Sequence, residues 1–156
     1  MTDAQTLIRD DISTAIRHYL DALEGKDGAT LYDLAKTLDG LVSTYHRVPD
    51  VEPDTTEASA APRSDERPII DAANAAFPDL DWYALVDPQE GQEQAIGMSI
   101  AVGDLAEIAS DLLEVLWLFE NASHNDAVWE FRFGYQSHWG RHLHEIRTYL
   151  HGLAAW

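Results

Sequence analysis

The chain has no cysteine. Disulfides, thiolate nucleophiles and metal sites built on sulfur are therefore excluded. Lysine is nearly missing too: Lys26 and Lys36 are the only two, and the other eight bases are arginines. No apolar run approaches the roughly 20 residues that span a bilayer. The N-terminus, Met1-Thr-Asp-Ala-Gln, carries an acid where a signal peptide carries Lys or Arg. No glycine-rich phosphate loop, nucleophile elbow or metalloprotease His-Glu-x-x-His is present. A soluble cytoplasmic protein is the expectation.

Positive charge is scarce throughout. Twenty-eight acids against ten bases give a net charge of −18. Such a surface repels phosphate backbones and anionic lipids, so neither nucleic acid nor membrane is expected as a partner. The deficit is uneven. Residues 48–92 hold eleven acids and two arginines, whereas residues 127–156 hold Glu130 and Glu145 against Arg132, Arg141 and Arg147.

What the chain does have is helical periodicity in 156 residues, enough for a real hydrophobic core. Leu7, Ile8, Ile12, Ile16, Tyr19, Leu20 and Leu23 form one stripe at three- and four-residue spacing. Gly25 and Gly28 end that helix. Thr30, with Asp33 three residues on, starts a second helix through Tyr45. Residues 48–67 are rich in Pro, Ser, Thr and acids and read as a flexible acidic loop. Pro68 opens a short helix that Pro78 stops. Leu80 to Pro88 reads as irregular or a helical turn; a strand there has no obvious partner. Ser99–Asn121 is a long helix, and Ser123 with Asp126 caps a last one running unbroken to Leu153. The expected fold is all-α: a bundle of four long helices plus one short helix, with a long acidic crossover loop, forming a single helical domain over 1–156.

The candidate chemistry sits on the last helix. Arg132, Tyr135, Trp139 and His142 fall on its apolar side if the helix is straight. A guanidinium there requires a partner, either a ligand anion or an acid of a neighbouring helix. Gly140 costs about 1 kcal/mol relative to alanine inside a helix, which points to a close approach. His138 and His142 are four apart and share an edge. These residues support two readings. One is a non-catalytic binding or interaction module that engages an unknown protein or small molecule through Arg132, Tyr135, His138, Trp139 and His142, with no cofactor. The other is a divalent transition-metal site at His138 and His142, with His46 as a third ligand. The acids Asp104, Glu107, Asp111 and Glu114 lie opposite the apolar face of the preceding helix and read as a solvated stripe.

Two resemblances follow from these residues. A helix-two histidine with a late His-x-x-x-His is similar to the arrangement in DinB-like metal-binding helical bundles. Trp129-Glu-Phe-Arg-Phe133 followed by His138-Trp-Gly-Arg-His142 resembles the C-terminal signature of an uncharacterised bacterial domain-of-unknown-function family of small helical proteins. The second resemblance implies a helical fold and no assigned activity.

Overall fold

The computed structural model describes residues 1–56, 61–91 and 96–153. Helix α1 spans Asp3–Leu23 and α2 spans Leu31–Arg47, joined by a short 3-10 turn at Lys26–Gly28. Helix α3 covers Arg67–Ala76, α4 Ala101–Asn121, α5 His124–Ser137 and α6 Trp139–Leu153. Strands β1, Trp82–Val86, and β2, Ile96–Ile100, pair antiparallel with Trp82 opposite Ile100 and Ala84 opposite Met98.

The start signals act as the sequence suggests. Thr30 Oγ1 accepts from Asp33 N at 3.2 Å, and the Asp33 carboxylate accepts from Thr30 N at 2.9 Å, closing a capping box. Ser123 Oγ accepts from Asp126 N at 3.0 Å. Gly25 adopts φ +70°, a left-handed conformation that a side chain would strain. Ala76 packs so closely there that an added Cβ would meet its Cβ at 2.8 Å.

The expected bundle of four long helices and one short one is not what forms. Six helices and an antiparallel hairpin are present among the described residues. Two physical causes account for the difference. The last helix is broken at His138, whose φ and ψ of −146° and −81° leave the helical region. The segment 82–86 does find a strand partner, because Ile96–Ile100 is extended and α4 begins two residues later than Ser99. In the acidic connection after α2, Thr55 N donates to Asp126 Oδ1 at 3.0 Å and Asn125 Nδ2 to Asp54 at 3.0 Å. Residues 57–60 of that expected loop lie outside the described residues.

Helix α4 is the centre of the bundle, packing against α1, α3, α5 and α6. Leu105, Ile108 and Leu112 are fully buried, and so are Ile12, Ile16, Leu34, Leu38, Phe131 and Ile146 from the surrounding helices. A helix enclosed on most sides buries even its polar residues, and Asp104 and Ser110 of α4 are buried. Among the described residues, no helix is long and apolar enough to cross a membrane.

Candidate metal centre

The break between α5 and α6 is built by two glycines. A Cβ at Gly134 would lie 2.7 Å from the Trp139 ring, and one at Gly140 would collide with the Tyr135 carbonyl oxygen. The close approach inferred for Gly140 is therefore to the backbone of its own preceding turn. Trp139 is fully buried, with its ring centroid 5.3 Å from Phe131 and 5.1 Å from Tyr135. His138 caps the end of α5 and His142 sits in the first turn of α6, their ring centroids 4.9 Å apart.

Opposite them, α4 presents Asp104, Glu107 and Asp111 at a spacing of three and four residues, one face of a helix. His142 Nε2 lies 3.0 Å from Glu107 Oε2, and His138 Nε2 lies 3.7 Å from the same oxygen. The other nitrogens turn to the flanking acids. His138 Nδ1 is 2.6 Å from Asp111 Oδ2. His142 Nδ1 is 3.2 Å from Asp104 Oδ1, out of line for a good hydrogen bond, so that buried nitrogen stays unsatisfied. Asp104 is itself held: Ser99 Oγ donates to Oδ1 at 2.9 Å and the Tyr83 hydroxyl donates to Oδ2. One donor atom from each of Glu107, His138 and His142 lies within 4.8 Å of the others. Ligands about 2.1 Å from a tetrahedral ion are separated by about 3.4 Å, so small side-chain movements would close this group on a cation.

The electrostatics favour positive charge at that point. Three carboxylates face two imidazoles. If His142 were neutral with its proton on Nδ1, an unprotonated Nε2 would confront a carboxylate oxygen at 3.0 Å, which is repulsive without a proton or a metal ion between them. The Asp104 contact raises the His142 pKa above the ordinary imidazole value; burial opposes it, and the charges of Asp104, Glu107 and Glu145 add to it. Burial pushes Asp104 up, but the close His142 imidazole and the hydrogen bonds from Tyr83 and Ser99 outweigh that and leave it below the usual carboxylate range. Burial, then the Asp104 partner, drives the Tyr83 phenol upward. On the neighbouring face of α5, burial and then the charges of Glu114 and Asp111 push Glu130 up to about 7.

Of the residues singled out from sequence, His138 and His142 come together here, and the others lie elsewhere. Arg132 points to the C-terminal end of α2, where Nη1 donates to Val48 O at 2.7 Å and Tyr45 O at 3.3 Å. Its Nε faces Asp50 at 3.4 Å, and its guanidinium lies 4.9 Å from the Tyr45 ring centroid. Tyr135 stacks on Tyr45 at 3.9 Å and its hydroxyl meets His144 Nε2 at 2.8 Å. His46 is exposed beside Tyr45, 5.1 Å between ring centroids, and is not in the metal-capable group. Trp139 belongs to the core. The site residues that the sequence did not point to are Tyr83 and Ser99, together with Asp104, Glu107 and Asp111, which it assigned to a solvated stripe. The solvated-stripe reading fails at Asp104, which is 5% exposed. The available signal was the strongly apolar character of α4: a helix buried on most sides has no free solvent face on which to place a row of acids.

A family model described as "Domain of unknown function (DUF5063)" matches residues 5–155, and the chain belongs to that family. No curated protein matches the chain. Among solved structures it is similar to protein BF1032 from Bacteroides fragilis, with 17% identity and a TM-score of 0.69. That match covers 98% of this chain and 94% of the other, and at this identity it establishes a shared fold.

Proposed function

We propose that this member of the DUF5063 family binds one divalent transition-metal ion through His138, His142 and Glu107. The observation that carries the reading is the convergence of both Nε2 atoms on one Glu107 oxygen, 3.0 and 3.7 Å away. The arrangement behind the ligands supports it. Metal-bound histidines commonly give their other nitrogen to a carboxylate, which fixes the tautomer and raises basicity. Here Asp111 stands behind His138 at 2.6 Å and Asp104 behind His142 at 3.2 Å. Two imidazoles and a carboxylate suit zinc and its neighbours, and the absence of thiolates disfavours softer ions.

Three protein ligands would leave a fourth position for water or another small ligand, the pattern of reactive rather than closed structural sites. An ion held there would act as a Lewis acid and lower the pKa of its bound water. The remaining groups are derived from the chain itself: Asp104 and Asp111 orient the imidazoles, and Tyr83 and Ser99 hold Asp104. The competing reading, an interaction module working through Arg132 and Tyr135, draws less support because both side chains are already engaged with α2 and α6.

Calorimetric titration of chelator-treated protein with Zn²⁺ and Ni²⁺ tests the proposal. One equivalent per chain is expected, abolished in His142→Ala and Glu107→Gln, strongly weakened in His138→Ala and unchanged in His46→Ala. Weak, multi-site uptake that all four variants share would mean adsorption to an acidic surface and would overturn it.

A further inference from the structure

The outward face of the β1–β2 ribbon is uncharged in a chain that carries −18. Residues opposite one another in an antiparallel pair share a face. Trp82, Ala84 and Val86 of β1 thus share theirs with Met98 and Ile100 of β2. All five are exposed: Trp82 by 58%, Val86 by 63%, Met98 by 60% and Ile100 by 41%. The inward face is the one already satisfied. Tyr83 is buried and stacks on Tyr149 of α6 at 4.9 Å, and Ser99 bonds to Asp104.

A ribbon with one wet face places polar residues outward. This one places Tyr83, Leu85, Gly97 and Ser99 inward, and outward only the apolar Trp82, Ala84, Val86, Met98 and Ile100. Apolar residues on both faces are the pattern of a strand pair covered on both faces. The hairpin is also the least self-sufficient element of the fold, since two strands alone are marginal in water.

We infer that the covering element is a second copy of this chain, with the two ribbons packed face to face about a two-fold axis near Ala84. Two considerations support this occupant. At these exposures the patch amounts to about 500 Å² per copy, so two copies packed over the whole of it bury on the order of 1,000 Å², the lower limit for a specific interface. Charge supplies the second: two chains of −18 repel wherever they bring acids together, and this face itself carries none. Asp81 and Asp87 flank it, so repulsion between the copies limits the dimer to modest affinity, and salt, by screening that repulsion, strengthens association. A basic protein docking on the same face would be weakened by salt instead.

Sedimentation velocity of the full chain over a wide concentration range, at low and high NaCl, tests the inference. Expected are a monomer–dimer equilibrium that tightens with salt, and monomers at all concentrations for Trp82→Asp and Met98→Glu with unchanged circular dichroism. The cysteine-free background permits a geometric test as well. Ala84→Cys should be joined into a covalent dimer by a bismaleimide whose spacer matches the roughly 10 Å between packed sheets, whereas Asp21→Cys, on the exposed side of α1, should not. A wild type that stays monomeric under all conditions, a dimer weakened by salt, or equal crosslinking at both positions would overturn it. If Trp82→Asp misfolds, the Ala84→Cys result decides alone.

Discussion

The Tyr83 hydroxyl of β1 donates to the buried Asp104 carboxylate of α4, and the same carboxylate faces His142 Nδ1 at 3.2 Å. A hairpin residue thereby helps set the orientation of an imidazole on α6. Tyr83→Phe keeps the ring and its stack on Tyr149 and removes only this donor. Outer carboxylate supports of a metal-bound histidine are worth about 10–100-fold in affinity, and loss of one of the two donors to Asp104 should fall near the lower end. Titration should give one equivalent of metal at about tenfold weaker affinity. An unchanged affinity would show that Tyr83 serves only packing.

The pH dependence of the metal-free protein follows from His142. Asp104 raises its folded pKa, so the folded state holds this proton more tightly than the unfolded chain. That contribution is fully present below about pH 6.5, the ordinary imidazole value, and is lost as pH rises through the raised one. Melting temperature of metal-free protein should fall across this window, and His142→Ala should flatten the fall. Metal requires the unprotonated imidazole and so binds better as pH rises. Saturating Zn²⁺ should therefore stabilise most where the metal-free protein is weakest. Identical pH profiles for wild type and His142→Ala would contradict the assignment.

Glu130 gives a second dependence with the same sign and a different cause. Burial, with Glu114 and Asp111, raises its pKa to about 7, so the stability present below the normal carboxylate range fades as pH climbs toward that value. Glu130→Gln removes the penalty for ionising it. The side chain is only about half-buried, so solvent screening reduces the gain to about 1–2 kcal/mol at neutral pH. Denaturant melts should show stabilisation at pH 7 and none near pH 4.5. A destabilised variant at neutral pH would mean that the ionised carboxylate has a favourable partner.

Helix content was legible in the sequence because stripes such as Ile12, Ile16 and Tyr19 record one-sided burial, and because Thr30 and Ser123 are chemically suited to cap. The hairpin was not, because β1 and β2 carry apolar residues on both faces and show no clean alternation. The break at His138 was hidden for a related reason. The cost of Gly140 signals a close approach but not a break, which shows only once Trp139 is seen folded into the core between Gly134 and Gly140. Half of the candidate site followed from the His138–His142 spacing. Its acidic half depends on which side of α4 meets α5 and α6, which periodicity within one helix cannot report.

Gly140→Ala tests that break directly. The new methyl group would collide with the Tyr135 carbonyl oxygen, which cannot swing away as a flexible side chain could. A loss of about 3 kcal/mol or more is expected, against a gain of about 1 kcal/mol from helix propensity alone. Thermal melts distinguish the two by sign, and a more stable variant would show that α5 and α6 can straighten into one helix.

Arg132 separates a ligand clamp from a structural one. Its guanidinium closes the C-terminal end of α2 through the Val48 and Tyr45 carbonyls and lies over the Tyr45 ring. A cation there also suits the negative end of the helix dipole. Arg132→Met preserves much of the aliphatic packing but leaves those carbonyls without a charged donor. The expected cost is about 2–3 kcal/mol in denaturant unfolding, with metal stoichiometry and affinity unchanged. Arg132→Lys should recover only part of it, because an ammonium lacks the planar fork that reaches both carbonyls and stacks on the ring. A fully stable Arg132→Met variant that loses binding of a partner would instead place Arg132 at a recognition surface.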